Sequence, residues 1–359
     1  MMIKDSYLTA DLEQVVKSGS ISWNIMKGSA VFITGVTGLI GSLLCRTLLA
    51  ANDARKLNMH IYGLVRSEEK AGQIFGELLE RDDFSLITGD ITGSVSVDGT
   101  IDYMFHCASV TASKTMISKP VETLMTAVDG TRNMLELARE KKVKAFVYVS
   151  SMEVYGSFTD LGHDVTEEDL GYINPLALRS NYPESKRLCE NMCIAYFSEY
   201  GVPVRMARLA QTFGPGILPG ENRVFAQFAR SAIKGEDIVL HTKGLSEGNY
   251  CYTSDAVKGL LTIALAGKNG EAYNVSNPET HTTIADMAQM VCRDIAGGRI
   301  KVIFDIPETN TFGYAADTRM KLDSSKLQAL GWKPEVGLCE AYERLIGSIR
   351  EMEDLRDEP

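Results

Sequence analysis

In the stretch NYPESKR, Tyr182 and Lys186 stand four residues apart, and residues at that spacing on a helix share a face. Pro183 between them suits a first helical turn, where its missing amide has no partner to lose. A free tyrosine, with a pKa of about 10, is a poor base at neutral pH. A nearby ammonium stabilises the phenolate and lowers that value, so the pair can take a proton from a hydroxyl group. A third group must then hold that hydroxyl, and FVYVSSMEVYG offers Ser150 and Ser151 where a strand ends. The plain alternative is a surface helix start carrying two ordinary residues.

A second cluster sits upstream. FITGVTGLIGSLL spaces Gly35, Gly38 and Gly41 as G-x-x-G-x-x-G between a predicted strand and a predicted helix. Glycines there permit a tight turn and close approach of the backbone to a pyrophosphate, which the helix N-terminus then binds. A merely structural turn is the competing explanation, but the strand-turn-helix context favours a dinucleotide site. A positive nicotinamide ring would further stabilise a Tyr182 phenolate and accept hydride from the deprotonated carbinol. The second strand ends LVRS, with Val65 where NAD-binding folds usually carry an acid and Arg66 beside it. Arginine suits a 2′-phosphate, so NADP is favoured over NAD; a solvated strand end is the other reading. Asp90, closing LITGD, is placed either to contact adenine or to cap a turn.

The elements that must position these groups alternate along the chain. AVFITG, MHIYGLVR, FSLITGD, IDYMFHCAS, KAFVYVSS and PVRMARLA read as short buried strands. Between them LIGSLLCRTLLAAND, PVETLMTAVDGTRNMLELAREKK and SKRLCENMCIAYFSEYG carry helical periodicity. Such alternation implies βαβ units, hence an α/β fold with a doubly wound parallel sheet of Rossmann type. The expected organisation is an N-terminal extension over 1–29 and a dinucleotide-binding domain over 30–210, to which the chain returns at about 250–277. A smaller substrate-binding lobe covers 211–249 and 278–350, and 351–359 form an acidic tail. The extension carries one short helix, LTADLEQVVKS, that docks on the main body through Trp23.

Bulk properties narrow the function. A chain of 359 residues, 45% hydrophobic, can bury a large core. A formal charge of −10 argues against nucleic-acid binding. Seven cysteines without a C-x-x-C pair fit reduced thiols of a cytoplasmic protein. Five scattered histidines offer no metal-ligand spacing. No apolar run reaches the roughly 20 residues of a membrane span, and the N-terminus lacks the apolar core of a signal peptide. His106, Cys107, Cys189 and Cys193 read as packing residues, and His241 as structural.

Taken in order, TGVTGLIG, FHCAS, SSMEVYG, YPESK, FGPG, TSDAV and LDSSKLQALGWKP resemble the extended short-chain dehydrogenase/reductases of the NAD(P)-dependent nucleotide-sugar epimerase/dehydratase family. The resemblance spans Ala30 to Trp332. It implies that Ser151 bonds a substrate hydroxyl, that Tyr182 is the base, and that Lys186 assists it while bonding the nicotinamide ribose. It implies cofactor contacts at Gly35, Thr37, Gly38, Leu39, Ile40, Gly41, Arg66, Asp90, Ile91, Ala108 and Ser109. Ser150, Met152, Gln211, Arg223 and Arg319 fall to the nucleotide-diphosphate sugar. A homodimer built on the helices flanking the catalytic strand is a further implication.

Members share oxidation at C4 to a 4-keto sugar and then diverge. Glu153 in SSMEVYG resembles the glutamate of relatives that dehydrate or decarboxylate the sugar. Its neighbour Met152 cannot donate a proton, which disfavours dehydratases using an Asp-Glu pair. The wording around YPESK most resembles UDP-glucuronate decarboxylases, yet Gln211 and Gly248 replace an asparagine and an arginine common in relatives. The rivals are a 4-epimerase without Glu153 chemistry and a dinucleotide-binding regulatory protein without catalysis.

Overall fold

The computed structural model describes residues 5–159, 161–217, 220–307 and 318–357, with side chains through 353. The first residues of the N-terminal extension, part of the expected smaller lobe and the end of the acidic tail lie outside the described residues. In chain order the strands are β1 (Ala30–Thr34), β2 (His60–Val65), β3 (Phe84–Thr88), β4 (Tyr103–His106), β5 (Ala145–Ser151), β6 (Val204–Leu209), β7 (Gln211–Phe213), β8 (Ile238–Leu240), β9 (Glu247–Tyr252), β10 (Ala272–Val275), β11 (Asn277–Thr283) and β12 (Val302–Phe304). The helices are α1 (Ser6–Lys17), α2 (Leu39–Arg55), α3 (Glu68–Phe75), α4 (Ser113–Ser118), α5 (Pro120–Lys141), α6 (Asn181–Tyr200), α7 (Val224–Lys234), α8 (Thr253–Ala266), α9 (Ile284–Met290), α10 (Ser325–Gln328) and α11 (Leu338–Asp357).

Seven strands form one parallel sheet in the order β10-β6-β5-β4-β1-β2-β3. The expected doubly wound α/β fold is present. Apolar side chains alternate between its faces, as a period of two requires. Ile33 and Val147 join the core under α1, α2 and α8, while Phe32 and Phe146 join the core under α5 and α6, which includes Cys189 and Cys193. A third core gathers Phe213, Phe225, Tyr250, Val291 and Tyr342 beside the three-stranded sheet β11-β9-β7. Register aligns Thr34 with His106 and Ser151 with Leu209, so the carboxyl ends of β1, β4, β5 and β6 share one edge.

Local sequence sets the helix limits that matter for the site. Gly38 heads α2 with no side-chain cap, and Gly201 at φ +69° ends α6 in the left-handed conformation. The N-terminal helix docks on α2, α8 and α11, and Trp23 behind it is buried. Its Asp11 is wholly buried, accepting from Tyr252 Oη at 2.6 Å and Arg344 Nη1 at 2.7 Å. Burial pushes the Asp11 carboxyl up to about 6. At the start of the acidic tail, Glu351 accepts from the Ser6 amide at 2.7 Å.

Candidate active site

The glycine turn is built by close approach. Gly35 has φ +65°, and a Cβ there would sit 2.7 Å from the Ala108 amide nitrogen. A Cβ on Gly41 would collide with the Gly35 carbonyl oxygen. The Gly38 amide donates to that same carbonyl at 2.9 Å, closing the turn around Thr37. With no side-chain cap on Gly38, the first-turn amides of Leu39, Ile40 and Gly41 are left for an outside acceptor. Thr34 Oγ1 receives the Ala108 amide at 3.1 Å and pairs with His106 Nδ1 at 2.7 Å. His106 is buried, and burial followed by the Lys186 charge pushes its imidazole down to about 3. It is a neutral linchpin between β1 and β4. Cys107 is a free thiol pushed up to about 12 by burial, and Ala108 and Ser109 follow it half-buried.

The groups assigned to the far end of the cofactor divide. Arg66 stands exposed just beyond β2, next to buried Val65. Asp90 caps a turn, accepting from the Thr92 amide at 2.8 Å and its hydroxyl at 2.7 Å, which hold its carboxyl below the usual range. Ile91 faces inward: a Cβ on Gly130 would sit 2.5 Å from its Cδ1. Its carbonyl accepts from Asn133 Nδ2 at 2.8 Å.

Tyr182 and Lys186 share the inward face of α6, and both are buried. Lys186 Nζ donates to the Val149 carbonyl at 2.8 Å and lies 4.8 Å from the Tyr148 ring centroid and 5.8 Å from that of Tyr182. Burial pulls the ammonium down to about 8. Burial and then the Glu153 charge push the Tyr182 phenol up to about 12. The Ser151 hydroxyl and the Arg179 and Arg223 guanidinia act in the opposite sense without prevailing. Among the chain's own groups, desolvation is the larger effect.

Ser151 ends β5 and its Oγ accepts from the Glu153 amide at 3.2 Å, opening the 3-10 turn Met152–Tyr155. Glu153 is half-exposed and accepts from Arg179 Nη2 at 3.1 Å. Ser150 is buried, with no hydrogen-bond partner for Oγ among the described residues. Met152 is buried near Gly248, its Cε 3.6 Å from where a Cβ would stand. Arg223 precedes α7, commits Nε and Nη2 to Glu221 at 3.1 and 2.7 Å, and lies 4.8 Å from the Phe225 ring centroid. Gln211, exposed at the start of β7, is in register with Tyr250. Arg319 is exposed beyond Thr318, whose carbonyl accepts from Glu247. Among the described residues, no side-chain hydrogen bond ties Gln211 or Arg319 to Tyr182, Lys186, Ser151 or Glu153. His241 Nδ1 lies 2.9 Å from the Asp305 carbonyl oxygen.

Arg179 belongs to this site and was not singled out from sequence. It lies in the 3-10 turn Leu178–Ser180 leading into α6, with its guanidinium carbon 5.6 Å from the Tyr182 ring centroid. The available signal was its position three residues before Tyr182, one helical turn back along the same face.

Comparison with known proteins agrees with this geometry. The profile of the NAD dependent epimerase/dehydratase family matches residues 31–276. UDP-glucuronic acid decarboxylase 6 of Arabidopsis thaliana is 32% identical over 86% of this chain and 85% of its own length. The solved epimerase Mth375 of Methanothermobacter thermautotrophicus superposes with a TM-score of 0.77 at 23% identity, covering 94% of this chain and 96% of its own. UDP-glucuronic acid 4-epimerase of Bacillus cereus, solved with UDP-glucuronic acid and NAD, gives 0.74 at 22% identity over 90% and 99%. At those identities the two structures speak for the fold. The uncapped glycine turn, the seven-stranded sheet and the profile match over most of the chain lead to one conclusion: this chain belongs to the NAD dependent epimerase/dehydratase family.

Proposed function

We propose that the protein decarboxylates a nucleotide-linked uronic acid through a 4-keto intermediate. The observation that carries this reading is the meeting of Ser151, Glu153, Tyr182 and Lys186 at the carboxyl edge of the sheet, beside the glycine turn. The similarity to UDP-glucuronic acid decarboxylases supports the choice of reaction. When bound, a nicotinamide cofactor accepts the C4 hydride and returns it at the end of the cycle, so no outside oxidant is consumed.

The chain's own residues supply the rest. Gly35 and Gly41 let the turn close, and the first-turn amides of α2 would hold the cofactor's pyrophosphate. The Ser151 hydroxyl orients the C4 hydroxyl, and Tyr182 removes its proton. A phenol at about 12 needs added positive charge to do this near neutrality, which Lys186 and the bound cofactor provide. Once C4 is a ketone, the C5 carboxylate belongs to a β-keto acid. The C5–carboxylate bond then breaks, carbon dioxide leaves, and the electron pair moves into the C4 carbonyl as an enolate. A proton returns to C5, and Glu153, held by Arg179, is the group proposed to direct it. Met152 cannot act as an acid, which fits decarboxylation better than dehydration. Arg223, Gln211 and Arg319 are proposed for the nucleotide diphosphate side.

Exposed Arg66 supports a 2′-phosphate and therefore NADP; titration with NAD and NADP distinguishes the two. Val121 and Met125 of α5 and Leu188, Ile194 and Tyr200 of α6 are exposed on packed neighbouring helices, which supports a homodimer across that face. No helix among the described residues is long and apolar enough to cross a membrane. The seven free cysteines support a cytoplasmic setting.

The test is mass spectrometry of products after incubation with UDP-, GDP-, CDP- and dTDP-sugars, uronic acids included. Loss of carbon dioxide from a uronate is the expected result. Loss of water, or a new isomer of unchanged mass, would replace decarboxylation by dehydration or epimerisation. Cofactor binding without conversion of any sugar nucleotide would turn the reading toward a regulatory protein.

A further inference from the structure

Arg179 is tied to the site by half of its guanidinium. Nη2 reaches Glu153 Oε1 at 3.1 Å, whereas Nη1 is buried and has no hydrogen-bond partner among the described residues. A guanidinium carries five N–H donors in a planar fork matched to a carboxylate. Two other arginines of this chain each give two arms of that fork to one acid. Arg223 gives Nε and Nη2 to Glu221, and Arg208 gives Nε and Nη2 to Glu190. Arg179 instead holds its acid by a single bond beside the Tyr182 ring.

We propose that Arg179 is the specificity-determining residue of this site, receiving a carboxylate on the sugar through the Nη1 arm of its guanidinium. The inference rests on the reading that the protein acts at C4 of a nucleotide sugar, and it assigns the group that selects a uronate over a neutral hexose. Glu153 and a sugar carboxylate are like charges at one site, and a guanidinium shared between them offsets their repulsion. Once carbon dioxide has left, the sugar no longer offers an anion to Arg179. Substrate is thereby held more tightly than the neutral product.

The experiment measures binding by calorimetry in cofactor-loaded protein carrying Tyr182→Phe, which suppresses turnover. UDP-glucuronic acid and UDP-glucose are the probes, with Arg179→Met and Arg179→Lys added in turn. Arg179→Met should weaken UDP-glucuronic acid at least tenfold while leaving UDP-glucose within twofold. Arg179→Lys, which keeps the charge and guards against a folding failure, should recover part of that loss. Equal weakening of both sugars, or of neither, overturns the inference. If the parent protein binds both sugars equally, the inference also fails while the C4 chemistry stands. If it neither binds nor converts any UDP-sugar, both readings fall together.

Discussion

Two arginine–glutamate pairs flank the end of the catalytic strand, and their surroundings are opposite. Arg208 of β6, in register with Ser150 of β5, holds Glu190 of α6, and each side chain is only 10% exposed. Its Nη1 is also used, reaching Tyr155 Oη at 3.1 Å and the Glu167 carbonyl at 2.8 Å. Arg179 and Glu153 are 33% and 35% exposed and share one bond. A buried pair with its hydrogen bonds made locks strand to helix, and neither partner can leave without stranding the other's charge. A half-open pair with an unmatched donor costs little to rearrange, which is what a group that must meet a substrate requires. The same two residue types thus lock the architecture in one place and, in the role proposed for them, serve chemistry in the other.

The largest expected effect lies on the chemical side. Tyr182→Phe should lower kcat/KM by about 10²–10⁴-fold, the usual contribution of a positioned proton-transfer group. Its melting temperature should stay near that of the parent protein. Steady-state kinetics with calorimetry checks both, and a folded variant of undiminished activity would remove the base from Tyr182.

On the architectural side, Arg208→Met should destabilise the fold by about 3–5 kcal/mol, because Glu190 would remain buried without its partner. Arg179→Met, by contrast, should cost less than about 1 kcal/mol, as exposed pairs do. Urea denaturation of the two variants sets them side by side. Equal losses would mean that the contrast drawn from exposure and bonding is wrong.

A smaller effect concerns Lys186, a buried cation of the site whose hydrogen bond goes to a neutral carbonyl. Burial pulls its pKa from 10.5 to about 8 in the folded chain. Between those values the unfolded chain binds more protons, so this group makes stability rise as pH rises from about 8 to 10.5. The gain is on the order of 1–3 kcal/mol. Lys186→Met should remove that slope in denaturation curves across the window. An unchanged slope would show that Lys186 already has its ordinary pKa in the folded protein.

Much of this was open to reading along the chain. The strand-helix alternation announces the parallel sheet because buried parallel strands are short apolar runs. Gly35 and Gly41 are legible because a Cβ would strike the Ala108 backbone at the first and the Gly35 carbonyl at the second. The Tyr182–Lys186 spacing is legible because helix geometry alone puts both on one face. The Arg179–Glu153 contact was not, since it joins a strand end to a turn 26 residues later through a loop of no regular period. Asp90 reads as an adenine contact or a turn cap and Ile91 as its neighbour at the cofactor; the structure adds that Asp90 accepts from the Thr92 amide and that the Ile91 side chain joins the core.

What the amino-acid sequence determined by itself is the set of local elements and the identity of the groups proposed to react. Both follow from backbone sterics, apolar periodicity and side-chain chemistry, which act over a few residues. Tertiary structure alone decided the electrostatic state of those groups. Tyr182 rises to about 12 and Lys186 falls to about 8 because distant segments close over them and exclude water. The buried Asp11 likewise meets Tyr252 and Arg344 from 241 and 333 residues away. Desolvation and long-range pairing depend on how the whole chain packs, and no short window of sequence contains them.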